Sequence, residues 1–196
     1  MLVASQIVFE RYFEPVFLPV DFQLNSGELL LVTGANGCGK TTLIRVLAGV
    51  LHPTSGTIEN QFNGMAYVGH YLGIKDDLSV LENLRFIRDF LGLSRRSCKD
   101  VIEQVGLTRV AEQQARTLSA GQRKRCALAR LLVSESRLWL LDEPYSNLDI
   151  EGVELVDAIL HGHLVSGGAC ILATHGAHRP KWENSQDFHL VSGAAA

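Results

Sequence analysis

Three short stretches of the chain carry residue types that do phosphate chemistry. The first is Gly34-Ala35-Asn36-Gly37-Cys38-Gly39-Lys40-Thr41, which fits G-x-x-x-x-G-K-[ST] at every fixed position. Glycines let the backbone curl until successive N–H groups point inward at a phosphate. A helix starting at the end of the loop adds a favourable dipole. Lys40 can reach the outer phosphates as a point charge, and the Thr41 hydroxyl, followed by Thr42, can ligate Mg²⁺. The second stretch is Leu138-Trp139-Leu140-Leu141-Asp142-Glu143-Pro144, an apolar run ending in two acids. Asp142 can hold Mg²⁺ directly or through water, and Glu143 can orient or deprotonate an attacking water. Alone the pair could also be ordinary strand-end acids; beside the phosphate loop it supplies the other half of a metal site. The third, Leu118-Ser119-Ala120-Gly121-Gln122, opens a helix. Its Ser119 hydroxyl can cap that helix or bind an oxyanion, and Gly121 permits close backbone approach.

The elements that must position these residues read as an α/β alternation. Val3 to Glu10 and Val16 to Leu24 have strand character, with a turn at Asn25-Ser26-Gly27. Leu29–Val32, Leu138–Leu141 and Ala169–Thr174 are continuous apolar runs, as expected of strands buried on both faces. The phosphate loop leads into a helix that buries Leu43, Ile44, Val46 and Leu47 and is broken at Pro53 to Gly56. Ser79 with Glu82 forms a capping box ahead of Leu81, Leu84, Ile87 and Leu91. Ser97 with Asp100 starts another helix, stopped by Gly106, and a third runs from Ser119 through Leu132. Glu151 to Leu160 is also helical. The expected layout is a single domain over residues 1–196, its core at about 1–75 and 135–192. A helical subdomain at about 76–134 interrupts that core.

Composition narrows the partners. A net charge of −3 disfavours a nucleic-acid groove, which needs a basic surface. The basic run Arg123-Lys124-Arg125 reads as a solvated helix face, and His161 and His163 as surface residues. Cys38, Cys98, Cys126 and Cys170 form no C-x-x-C pair and read as free thiols in a reducing compartment. Cys38, inside the phosphate loop, is either a reactive thiol or the occupant of a tolerant position. The N-terminus lacks the pattern of a secretion signal, and no apolar run is long enough to cross a bilayer.

Taken in order along the chain, these motifs resemble those of ABC (ATP-binding cassette) ATPases. Leu118–Gln122 matches the family's signature motif, Asn147-Leu148-Asp149 its D-loop, and His175, just past the third buried strand, its switch histidine. The resemblance runs from Val3 to about Leu190. It implies a P-loop NTPase (RecA-like) core with an antiparallel β subdomain and an inserted α-helical subdomain. It further implies ATP and Mg²⁺ as cofactors, a homodimer when ATP is bound, and integral membrane subunits as partners, without nucleic acid. By that analogy Ser119, Ala120, Gly121 and Gln122 act in trans on the partner's γ-phosphate, His175 contacts the γ-phosphate, and Asp149 connects the two sites. An aromatic near the N-terminus stacks on adenine, Tyr12 or its neighbour Phe13.

One segment departs from the family pattern. His70 stands where most members place a glutamine, and imidazole is a poor ligand for hard Mg²⁺, so a contact through water is expected. The stretch Gly69-His70-Tyr71-Leu72-Gly73-Ile74-Lys75 is similar to one subfamily, the ATPase subunit of the haem exporter in cytochrome c maturation (CcmA-type). Trp139 and the L-S-A-G-Q form of the signature agree with it. This resemblance implies peripheral placement on the cytoplasmic face of the bacterial inner membrane and haem-handling membrane subunits. Docking is expected through the helical insert near Tyr71, Leu72 and Ile74. The alternatives are another small export cassette or a soluble non-transport ABC ATPase. The chain carries one cassette and no coiled-coil insertion, against the soluble types.

Overall fold

A computed structural model describes residues 1–91, 96–175 and 178–193. The chain divides into two compact units. The core unit comprises Met1–Gly69, Arg137–Pro144 and the chain from Leu160 onward. The helical unit comprises His70–Ser136 and Tyr145–Ile159, so it takes up His70–Lys75 and a stretch after Pro144 besides the expected insert.

The core unit is built on a parallel sheet of five strands in the order β10-β5-β9-β8-β7. These are β5 (Leu29–Thr33), β7 (Met65–Val68), β8 (Leu138–Asp142), β9 (Ala169–Ala173) and β10 (Ser185–His189). The three expected apolar runs are β5, β8 and β9, and their residues from Leu29 to Val32, Leu138 to Asp142 and Ala169 to Ala173 are buried without interruption. Parallel strands covered on both faces need such runs. Beside them, β1 (Leu2–Val8), β4 (Val20–Leu24) and β6 (Ser55–Asn60) form an antiparallel sheet in the order β4-β1-β6. Its inward residues Leu2, Ala4, Ile7, Val20 and Leu24 join Leu30, Val32, Leu140 and Ile171 in one hydrophobic cluster. Helix α1 (Lys40–Leu47) lays Leu43, Ile44, Val46 and Leu47 into the same cluster.

Some boundaries differ from the expected ones for identifiable reasons. The second strand begins at Val20, not Val16, because Pro19 has no N–H to give a ladder. Val16–Leu18 instead bonds to the far end of the chain, through Leu18 N–H to Val191 O and Gly193 N–H to Val16 O. Helix α1 stops at Leu47, well before Pro53. Gly49 takes φ 72°, its N–H reaches Val46 O and that of Val50 reaches Arg45 O, a Schellman termination. Strands β6 and β10 had no apolar signature: S-G-T-I-E-N and S-Q-D-F-H lie mostly exposed at sheet edges.

In the helical unit, α2 (Val80–Leu91) starts with the expected capping box: Ser79 N–H donates to Glu82 Oε2 and Glu82 N–H to Ser79 Oγ. Ser97 caps α3 (Cys98–Gln104), and α4 (Ala120–Ser134) packs against both α2 and α3. The basic run on α4 is not a solvated face. Lys124 is buried; Arg123 donates to Asp76 (2.6 Å) and to Ala115 O (2.8 Å), and Arg125 lies 3.6 Å from Asp149. A charge triplet read as a string conceals that Arg123 and Arg125 meet different loops and that Lys124 is buried.

His163, expected at the surface, is buried near the end of α5 (Ile150–Val165). Its imidazole stacks flat on Trp139 of β8, with centroids 3.7 Å apart and planes at 5°, and its Nε2–H donates to Ala169 O at 3.2 Å. A Cβ at Gly168 would fall 2.2 Å from the ring, so only glycine fits there. Burial pulls the imidazole from its ordinary 6.5 down to about 4, with the Ala169 carbonyl pulling weakly the other way. The unfolded chain therefore binds this proton below pH 6.5, and the native chain only below about 4. The stability that the neutral stacked ring contributes is complete above pH 6.5 and is lost as pH falls through that window, a total of about 3 kcal/mol. His163→Phe keeps an aromatic ring and removes the titration. Urea unfolding of that variant should show a stability slope between pH 6.5 and 4 shallower by about one proton than wild type.

Candidate functional site

The parallel register sets the site. Val32 pairs with Ala173, and Asp142 with the same Ala173, so β5, β9 and β8 end together at their carboxyl edge. Ligands of open parallel sheets bind outside that edge. The loop Gly34–Gly39 leaves β5 there and enters α1. Gly34, Gly37 and Gly39 have φ of 146°, 81° and 105°, values that side chains disfavour. Gly34 is also sterically obligatory: a Cβ would lie 2.6 Å from Leu190 O and 2.7 Å from Cys38 Sγ. Cys38 is buried, with its sulfur packed into the base of the loop, so it fills space and is not presented as a reactive thiol. Ala35, Asn36 and Gly37 are exposed; Thr41 and Thr42 are half-buried in the first turn of α1. The Lys40 ammonium folds back on its own loop and donates to Gly34 O (2.9 Å) and Ala35 O (3.1 Å).

Asp142 is buried at the end of β8. Glu143 turns away from the strand with φ 52°, a left-handed value for a non-glycine residue, while its N–H still donates to Ala173 O at 2.9 Å. His175 follows β9, and its Nδ1–H donates to Glu143 Oε2 at 2.7 Å. The bond to the carboxylate fixes that tautomer and the ring's orientation. Two residues expected to serve the chemistry are thus brought into direct contact.

Tyr12 and Phe13 occupy the tip of a hairpin between β2 (Glu10–Arg11) and β3 (Glu14–Pro15). Their φ angles are 54° and 67°, and both rings are more than nine-tenths exposed. A two-residue hairpin loop wants positive φ at both central positions, which Asn and Gly supply cheaply and aromatics do not. Each costs about 1 kcal/mol or more in that region.

The helical unit carries the rest. Ser119 caps α4: Gln122 N–H donates to its Oγ (3.2 Å), and Ser119 N–H donates to Gln122 Oε1 (2.9 Å). Asp149 caps α5 by accepting from Gly152 N–H at 2.8 Å. Ser119, Gly121, Gln122 and Asp149 line one concavity of about 430 Å³ together with Arg125 and Asn147. Ser119 and Ala120 are exposed. Arg125 is the residue that sequence reasoning missed here; its only signal was the basic run assigned to solvent. His70 is exposed, with its ring edge-on to Tyr71 at 5.7 Å, while Leu72 and Ile74 are half-buried. Among the described residues no cluster of His, Cys, Asp and Glu forms a ready-made metal site, and no helix is long and apolar enough to cross a membrane.

Residues 17–146 match the sequence profile of the ABC transporter family. The chain belongs to that family. It is 49% identical to the cytochrome c biogenesis ATP-binding export protein CcmA of Xanthomonas axonopodis pv. citri, covering 91% of this chain and 88% of the relative. It is 45% identical to the protein of the same name from Xylella fastidiosa, over 90% and 87%. A solved dimeric ATP-binding cassette in a post-hydrolysis state, bound to ADP and Pi, superposes with a TM-score of 0.85 at 21% identity, over 98% of this chain and 95% of that one. The ABC cassette fold expected from the sequence is therefore the observed one, and the chain is an ATP-hydrolysing ABC cassette.

The hairpin strain in this cassette is measurable. Replacing Tyr12-Phe13 by Asn-Gly should raise stability to urea by about 1–2 kcal/mol, because the new pair suits the turn. Unchanged stability would mean that the aromatics recover the strain through contacts of their own.

Proposed function

We propose that this cassette binds ATP with Mg²⁺ in the Gly34–Thr42 loop and hydrolyses it in a head-to-tail homodimer that drives membrane subunits. The observation that carries the reading is the 2.7 Å contact between Glu143 and His175 at the carboxyl edge where the phosphate loop also leaves the sheet. Phosphate oxygens would take over the Lys40 ammonium from the carbonyls of Gly34 and Ala35. The Thr41 hydroxyl and the Asp142 carboxylate are hard oxygen donors of the kind Mg²⁺ takes, and they would hold it. When bound, Mg²⁺ neutralises charge on the phosphate oxygens. Glu143 would accept a proton from, or orient, the attacking water, and His175 would hold Glu143 in place and contact the γ-phosphate. Tyr12, with Phe13 beside it, would stack on adenine. Ser119, Ala120, Gly121 and Gln122 would close over the γ-phosphate bound by the partner, with Asp149 linking the two sites. His70 would act through water at most, since imidazole suits Mg²⁺ poorly.

The relatives' shared name, cytochrome c biogenesis ATP-binding export protein, supports placing this cassette in that process. The inferred partners are haem-handling integral membrane subunits, met at the cytoplasmic face of a bacterial inner membrane. Affinity capture of the tagged cassette from detergent-solubilised native membranes tests this. Co-purification of small multispanning haem-handling subunits is the expected result, and recovery of a different permease would discard haem.

The chemistry has its own test. Glu143→Gln should lower phosphate release by about 10²- to 10⁴-fold while ATP binding persists, and light scattering should show an ATP-dependent dimer that no longer dissociates. Undiminished hydrolysis would remove Glu143 from the role of base.

A further inference from the structure

We propose that Arg130 is a positioning residue that makes the segment from His70 to Lys75 and the helix carrying Ser119–Gln122 one mechanical piece. The proposal rests on the reading above that a membrane partner meets the cassette, and it locates that meeting at His70 and Tyr71. Arg130 stands on α4, 11 residues after Ser119 and so about 16 Å along the helix from it. Its guanidinium donates from Nη1 to Leu72 O at 2.6 Å. The next residue, Gly73, is favoured as glycine by its φ, and a side chain there would push the guanidinium off its acceptor. Gly73 has φ 65°, and a Cβ there would lie 2.7 Å from Nη1 and 3.5 Å from Cζ of Arg130.

Among the described residues no carboxylate is paired with Arg130. Its neighbour one turn back, Cys126, is a buried thiol pushed up to about 11 and therefore neutral. Burial pulls the guanidinium below its ordinary value, and its donor Nη1 is spent on the Leu72 carbonyl in a charge-assisted bond. Because the acceptor is backbone, the lock senses the path of the segment and not the side chain at 72.

The other end of the segment is fixed as firmly. Buried Asn83 of α2 accepts from Lys75 N–H at 2.7 Å and donates to the carbonyls of Lys75 (3.0 Å), Leu78 (3.2 Å) and Ser79 (3.0 Å). Leu72 to Ser79 is thus pinned to α4 at one end and α2 at the other, while Tyr71 stays 82% exposed. A displacement imposed at Tyr71 has no slack loop to absorb it and passes to α4, at whose start Ser119 and Gly121 sit.

ATP turnover of the isolated cassette and of the complex purified from native membranes tests this with Arg130→Met, Gly73→Ala and Arg130→Lys. Isolated variants should keep KM and turnover within about twofold of wild type. In the complex, the partner-dependent change in turnover should fall at least about fivefold for Arg130→Met and for Gly73→Ala. Arg130→Lys, which keeps a cationic donor, should restore part of it. The double variant Arg130→Met with Gly73→Ala should be no worse than either single change, because both remove one contact. Full coupling in either single variant would overturn the proposal. So would additive losses, or loss of turnover in the isolated cassette in step with its melting temperature. If wild-type turnover is the same alone and in the complex, the partner reading fails first and takes this proposal with it.

Discussion

The in-register parallel pairing of β5, β9 and β8 is the constraint on which the functional site depends. Leu29–Val32 lies beside Cys170–Ala173, which lies beside Trp139–Asp142, although these strands are far apart in the chain. In a parallel sheet every strand points the same way, so the loops after all three leave from one edge. The phosphate loop after Thr33, Glu143 after Asp142 and His175 after Thr174 meet there only because the register is right. A slip of one residue in β8 would send the Asp142 side chain to the opposite face. It would also withdraw Glu143 N–H from Ala173 O. Unbroken apolar runs keep these strands buried under α1, and the register shows at their ends, where Glu143 N–H meets Ala173 O and Thr174 N–H meets Val32 O.

The helical unit is organised by a different kind of contact. Its helices share an apolar interior, with Val80, Leu81, Leu84, Val101, Ile102, Leu128 and Leu131 buried. Its connecting segments, though, are held by polar bonds to single side chains. Asn83 serves three carbonyls and an N–H, Arg123 joins Asp76 and the Ala115 carbonyl, and Arg130 meets the Leu72 carbonyl. Buried polar groups must be satisfied, and a satisfied network fixes one geometry where apolar packing tolerates several. Such bonds suit segments that must keep a defined path without the support of a sheet.

How much of this was legible in the sequence follows from what each signal depends on. The phosphate loop, the two acids after β8 and the caps at Ser79, Ser97 and Ser119 are local: the residue types needed lie within a few positions of each other. So are the buried strands, whose apolar runs need no partner to be recognised. Strand β10 was invisible because only Phe188 among its five residues is apolar and β5 supplies its ladder from outside. His163 was misread because a histidine announces nothing of the Trp139 ring and the bare Gly168 that enclose it. Arg123 and Arg125 were misread for the same reason: their partners lie in loops that the chain reaches by folding.

Backbone strain ties these levels together. Among the described residues, the non-glycine positions with positive φ are Gln6, Tyr12, Phe13, Glu135, Glu143 and Asn147. Four of the six belong to the stretches assigned to nucleotide chemistry or to the concavity beside Ser119. The left-handed region costs about 1 kcal/mol or more at each except Asn147, since asparagine visits it readily. What imposes it differs. Glu143 is held between a buried strand end and Pro144, and its N–H is committed to Ala173. Tyr12 and Phe13 have no such enclosure, only a two-residue loop between paired ends. Exposed and strained, the pair adds nothing to the core, and in the proposed function adenine is what it stacks against. Strain at Glu143 is imposed by the register of the sheet, and strain at the hairpin tip by the two-residue loop; the sheet supplies the stability that lets the molecule carry both.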